Sequence, residues 1–137
     1  MYLVDTDVLS AARRLDRSPA VRAWFERHAA ADLYLSAITI GEIERGVEGQ
    51  QRLDAPFAAQ LEAWLEKLLQ AYGDRVLPVD APVARAWGRL TRALGHSSAD
   101  LLIAATAQVH GLAVVTRNLR HFEPTGVPVV DPSRPTA

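Results

Sequence analysis

The sequence predicts one α/β domain in three layers, a central parallel sheet covered by helices on both faces. Short apolar runs at residues 2–4, 33–35, 75–79, 112–115 and 127–130 alternate with segments of helical periodicity. The runs at 2–4, 33–35 and 112–115 are apolar nearly throughout, as strands buried on both faces should be. With 137 residues, 49% of them hydrophobic, the chain is large enough for one such core and small for two. Residues 1–131 are expected to form the domain and 132–137 a flexible tail.

The first strand ends at Val4, with Asp5 immediately after it. Thr6 or Asp7 then stands where a cap would open a helix to about Arg14. Ser18 and Pro19 form a cap and first-turn pair for a second helix, which carries Val21, Trp24, Phe25 and His28 at helical spacing. After the strand at 33–35, Ser36 begins a polar turn. Residues 38–49 read as a helix with Ile40, Ile43 and Val47 on one face and Glu42 on another. Phe57, Leu61, Trp64, Leu65, Leu68, Leu69 and Tyr72 recur at intervals of three and four, so residues 54–72 form a long amphipathic helix. Gly73 and Asp74 break it before the strand at 75–79, and Asp80 with Pro82 opens a helix to about Leu94.

Residues 97–122 hold most of the polar signal. Ser97 or Ser98 can cap a helix that is apolar on nearly every face from Leu101 to Val109, and Gly111 stops it. The strand at 112–115 ends in Thr116, Arg117 and Asn118. Asp100 suits a capping box with Ser97 and the helix dipole. Yet Asp5 ends one buried strand and Glu42 lies near the start of the helix after another. In an open α/β sheet, ligands bind outside the carboxyl ends of the strands, so three acids in comparable places suggest a shared site.

Carboxylates crowded into a partly dry cleft repel one another unless a cation intervenes. Mg2+ or Mn2+ takes oxygen ligands, keeps waters, and can activate one of them against a phosphodiester. The chain has no cysteine, which removes disulfides, thiol catalysis and zinc-thiolate sites. His28, His96, His110 and His121 lack paired ligand spacing and read as surface or packing residues. No phosphate-binding glycine loop or nucleophile elbow occurs. A net charge of −1 argues against an unspecific nucleic-acid binder, leaving local basic groups such as Arg45 and Arg117 as possible phosphate contacts. No signal-peptide pattern or membrane-length apolar run is present, so a cytoplasmic protein is expected.

Taken together, Val4-Asp5-Thr6-Asp7, Tyr34-Leu35-Ser36-Ala37-Ile38-Thr39 leading to Gly41-Glu42-Ile43, Asp100-Leu101-Leu102-Ile103-Ala104-Ala105 and Val115-Thr116-Arg117-Asn118 resemble the PIN-domain ribonucleases, specifically the VapC-type toxins of bacterial toxin-antitoxin pairs. The resemblance spans nearly the whole chain. It implies a PIN-like α/β/α fold and a metal-dependent endoribonuclease acting on cellular RNA, with Asp5, Glu42 and Asp100 as catalytic acids holding Mg2+ or Mn2+. It further implies a homodimer and a cognate antitoxin that occludes the cleft. Family members generally carry Asn where this chain has Asp7, and many have a fourth acid after the last catalytic strand. Here that region offers Asn118 as a neutral oxygen donor, and His121 stands next to Phe122 where an acid is often found. An inactive PIN-like scaffold acting by partner binding is the runner-up. A haloacid-dehalogenase-type phosphatase, suggested by Asp5-Thr6-Asp7-Val8-Leu9 alone, is third. The helix with Val21, Trp24 and Phe25 and the one at 54–72 are expected to leave apolar side chains exposed for the antitoxin.

Overall fold

A computed structural model describes residues 1–14 and 18–134. The strands are β1 (Tyr2–Val4), β2 (Leu33–Ser36), β3 (Val76–Leu77), β4 (Ala113–Val115) and β5 (Val129–Val130). They form one sheet in the order β3-β2-β1-β4-β5, with every neighbouring pair parallel. The chain moves from β1 outward to β2 and β3, then returns to lay β4 on the other side of β1. The strand order therefore reverses between β1 and β4, and the crevice at their carboxyl ends is where such a sheet accepts a ligand.

The helices are α1 (Thr6–Arg13), α2 (Pro19–Glu26), α3 (Ala37–Gln50), α4 (Ala55–Tyr72), α5 (Ala81–Leu94), α6 (Ala99–His110) and the single turn α7 (Leu119–Phe122). Successive strand residues point to opposite faces, and the core divides accordingly. Leu3 and Val114 join Val83, Leu90, Ile103, Ala104 and Phe122 on the face covered by α5 and α6. Val4, Leu35 and Val115 join Val8, Val21, Trp24, Ile43, Leu65 and Leu68 on the other, under α1, α2 and α4. Helix α3 reaches both, with Ile38 packed on the first face and Ile43 on the second.

Several boundaries differ from the sequence-based expectation, each for a local reason. Helix α1 is capped neither by Thr6 nor by Asp7: Asp5 holds the cap position, and its side chain makes no capping bond. Strand β3 is shorter than the expected 75–79, because Arg75 belongs to a 3-10 turn, where its guanidinium donates to the carbonyls of Ala30, Leu33 and Ala71. Pro78, without an N–H, cannot extend the ladder. Pro128 likewise limits β5, and the Leu112 N–H turns back to Ala107 O, so β4 begins one residue later. Ser98, not Ser97, is the cap residue of α6, and its side chain also makes no capping bond. Gly111 ends α6 in the left-handed region at φ 66°, where a residue without a Cβ sits most easily. The turn α7 and the 3-10 turn Glu123–Thr125 follow β4 where the sequence marked no further helix. Of the expected tail, residues 135–137 lie outside the described residues. In the preceding turn, Ser133 donates to Asp131 Oδ1 and Arg134 pairs with Asp131.

Candidate active site

Asp5 is the most enclosed acid of the site, with 3% of its surface exposed. Its backbone N–H continues the β1–β4 ladder to Val115 O, which fixes the side chain over the gap between those strands. There the Thr116 hydroxyl donates to Asp5 Oδ2 at 2.9 Å, and the backbone N–H of Asn118 donates to Thr116 Oγ1 at 2.9 Å. Because Thr116 is fully buried, no water competes for that hydroxyl. Burial nonetheless pushes the Asp5 carboxyl up to about 6 from 3.8: the Thr116 bond works against the rise, and the nearby charges of Asp100 and Asp7 add to it.

Asp100 stands in the first turn of α6, near enough for its charge to be felt at Asp5. Its Oδ2 is 2.9 Å from His121 Nδ1, and since a carboxylate only accepts, the ring nitrogen carries the proton and donates. The capping-box reading therefore does not describe Asp100, whose side chain faces α7 instead. Both residues line a cavity of about 410 Å³ together with Leu94, His96, Ser98, Arg120 and Pro124.

Glu42 lies inside α3, in its second turn. The Thr6 hydroxyl donates to Glu42 Oε1 at 2.7 Å and stands 3.0 Å from the Thr39 hydroxyl, which is fully buried. Arg45 is only loosely placed against the other oxygen, at 3.9 Å, with 80% of its side chain exposed. A second cavity runs from Thr6 and Glu42 along α1 and α4, lined by Ser10, Arg13, Phe57 and Trp64. The Arg13 guanidinium lies over both of those rings.

Of the remaining candidates, Asn118 is exposed at the cap position of α7, and its side chain makes no capping bond. Asp7 is turned outward to Arg117, whose Nε and Nη2 both stand 3.0 Å from Asp7 Oδ2. Engaged in this way, Asp7 is not the helix cap that the sequence offered, and its carboxylate is committed to the rim. The apolar surplus expected around Trp24 is also absent, for that ring is 1% exposed, stacked on His28 and edge-on to Tyr2. Phe25 and Trp64 remain partly buried. Three site residues went unnominated from sequence: Thr6, Thr116 and His121. Thr116 was visible as a polar residue ending a buried strand, whereas His121 read as a surface histidine, its one signal being its place beside Phe122, where the resembled family often has an acid.

Among the described residues, no three histidine or carboxylate side chains stand together as a finished ion cage. The hard oxygen donors stand as two walls: Asp5 with the nearby charge of Asp100 on one, and Glu42 with Thr6, lining a separate cavity, on the other.

The family model for the PIN domain matches residues 2–126. The chain is 35% identical to the VapC ribonuclease Y4jK of Sinorhizobium fredii, over 98% of this chain and 99% of that protein. It is 36% identical to the toxin FitB of Neisseria gonorrhoeae, over 96% and 98% of the respective lengths. The crystal structure of FitAcB from Neisseria gonorrhoeae has the same fold, with a TM-score of 0.84 at 36% identity over 96% of this chain and 98% of its own.

Proposed function

Since the chain belongs to the PIN domain family, we propose that it is an endoribonuclease toxin held inactive by a cognate antitoxin, with Asp5, Glu42 and Asp100 as its acidic site. The observation that carries the reading is the position of Asp5 at the β1–β4 reversal, buried and under the charge of Asp100. Such a group is poorly placed as a free carboxylate and well placed beside a cation.

The donors fit Mg2+ or Mn2+, because every candidate ligand is a hard oxygen and Mg2+ keeps several waters instead of requiring a closed protein cage. Asp5 and Asp100 would hold the ion directly, and Glu42 would reach it from the opposite wall. The bound ion would supply an acidified water and neutralise phosphate charge. Thr116 and its partner Asn118 N–H keep one Asp5 oxygen fixed, leaving the other for the cleft. Thr6 does the same for Glu42, so its Oε2 stays available to orient or deprotonate an attacking water. Arg117 and Arg45, both exposed at the rim, are suited to the phosphates of single-stranded RNA, and Asn118 to a supporting oxygen contact.

An antitoxin segment would occupy the cavity along α1 and α4, where Phe57, Leu61 and Trp64 offer apolar anchors next to Glu42. The family resemblance adds a homodimer, which native mass spectrometry at micromolar concentration reads directly. No described helix is long and apolar enough to cross a membrane.

The deciding experiment incubates the purified protein with RNA, with and without Mg2+ or Mn2+. Internal cleavage that needs the ion, and that disappears in Glu42→Gln with unchanged circular dichroism, supports the nuclease. No cleavage of any RNA, together with no ion-dependent rise in melting temperature, would favour the scaffold reading.

A further inference from the structure

We infer that His121 is a positioning residue for the metal site: its Nδ1–H holds Asp100 Oδ2, so that the other carboxylate oxygen is presented to the ion. The inference rests on the acidic-site reading above and extends it to a residue outside the acid set. Four observations carry it. The Nδ1 to Oδ2 distance is 2.9 Å, within the range of a charge-assisted hydrogen bond. His121 sits in α7 beside Phe122, which is fully buried among Ile103, Ala104 and the other residues of the α5 and α6 face. The His121 backbone N–H is itself tied to Asn118 O at 3.0 Å. The turn is thus clamped at its base, and the imidazole meets α6 from a fixed direction. Finally, the two side chains line one cavity, so the pair does not face bulk solvent alone.

A role in folding does not account for the pair. The His121 side chain is 63% exposed and that of Asp100 24% exposed, and exposed pairs of this kind contribute little to stability. Orientation of a ligating carboxylate is a different matter. A carboxylate free to rotate about its last torsion must be ordered when the ion binds, whereas one already held by a partner loses less on binding. Loss of such a supporting hydrogen bond typically weakens metal affinity 10–100-fold.

The test titrates MnCl2 into the full chain by isothermal calorimetry, comparing wild type with His121→Ala, His121→Asn and Asp100→Asn. Asparagine can offer an N–H close to where Nδ1 stood but carries nothing in place of Nε2. His121→Ala should bind Mn2+ about 10-fold or more weakly, while its metal-free melting temperature stays within a degree or so of wild type. His121→Asn should recover most of the affinity. Equal Mn2+ affinity in wild type and His121→Ala overturns the inference and leaves the acidic site standing. Failure of His121→Asn to recover any affinity also overturns it, since the N–H donor would not be what matters. No Mn2+ binding by wild type, or undiminished binding by Asp100→Asn, overturns the acidic-site reading together with this one.

Discussion

The two walls use the same device with opposite results. On each, a threonine hydroxyl holds one oxygen of an acid that follows a sheet strand: Thr116 holds Asp5 at 2.9 Å, and Thr6 holds Glu42 at 2.7 Å. The difference is water. Asp5 and Thr116 are both buried, whereas Glu42 keeps 21% of its side chain exposed on the surface of α3. Burial pushes the Asp5 carboxyl up, while Glu42 stays within reach of water. On the function proposed above, one motif, a hydroxyl on a carboxylate, would then serve a metal ligand on one wall and an acid–base group on the other.

The sharpest way to break this contrast is to neutralise the exposed acid. Glu42→Gln should lower metal-dependent RNA cleavage about 100-fold or more, the range for loss of a general base. It should leave the melting temperature and the Mn2+ affinity much closer to wild type than Asp100→Asn does. Fluorescence of a quenched RNA probe gives the rate and calorimetry the affinity. A Glu42→Gln variant that cleaves at the wild-type rate would place the chemistry elsewhere.

How far this contrast was legible in the sequence depends on the kind of residue. Asp5, Glu42 and Asp100 could be named because each follows or opens an element whose apolar pattern is strong. The parallel sheet followed from the same alternation. The hydroxyls were not visible, since a threonine gains its role from whichever side chain the fold brings to it: Thr6 and Glu42 are 36 residues apart and Thr116 and Asp5 are 111 apart. α7 was hidden for another reason. One turn of helix has no periodicity to detect, and Arg117 to His121 is polar enough to pass for a loop. The two-residue strands β3 and β5 are cut short by Pro78 and Pro128, which the apolar runs overrode in the sequence reading. Trp24 shows the limit of counting large apolar residues, because its ring is absorbed by Tyr2, Phe25 and His28.

The buried wall makes the opposite prediction, a gain when its charge is removed. With a native pKa of about 6 against 3.8 unfolded, the folded metal-free protein binds the Asp5 proton more tightly than the unfolded chain. The favourable contribution is therefore fully present below 3.8 and lost as pH rises toward 6 and beyond. At pH 7.5 the charged group costs at most about 3 kcal/mol, two units at 1.36 kcal/mol each. Asp5→Asn keeps an oxygen for Thr116 and removes the charge. Urea denaturation without metal should find it more stable than wild type at pH 7.5 and nearly equal at pH 3.5. With Mn2+ present, wild type should gain melting temperature and the variant should not. A variant less stable than wild type at pH 7.5 would mean that Asp5 is not under charge strain.

The hydroxyls sharpen the comparison at a smaller scale. Thr→Val is nearly isosteric and deletes the donor. A hydrogen bond to a charged group contributes about 1.5–3 kcal/mol, and the loss is worse where water cannot replace it. Thr116→Val should therefore destabilise the metal-free protein at pH 7.5 by about 1–3 kcal/mol and push the Asp5 carboxyl still higher. Thr6→Val, beside a part-exposed acid, should cost roughly 1 kcal/mol or less. Paired urea titrations read the difference, and equal losses would erase the distinction in burial on which the two roles depend.

The smallest effect on stability is expected where the two walls are joined. Arg117, in the loop after β4, spans to Asp7 in the first turn of α1, the helix whose first residue is Thr6. The pair links the strand end that carries Thr116 to the helix that holds Glu42. Its side chains are 36% and 45% exposed, so breaking it should cost well under about 1 kcal/mol. Arg117→Ala and Asp7→Asn both break the pair, but only the first removes a cation from the rim. If Arg117 also meets RNA, Arg117→Ala should raise the KM for RNA and reduce the salt dependence of binding by about one phosphate contact. Asp7→Asn, which frees the arginine, should lower the KM or leave it unchanged. Equal rises in both variants would assign Arg117 to holding the loop in place, and the phosphate contact would pass to Arg45 or Arg120.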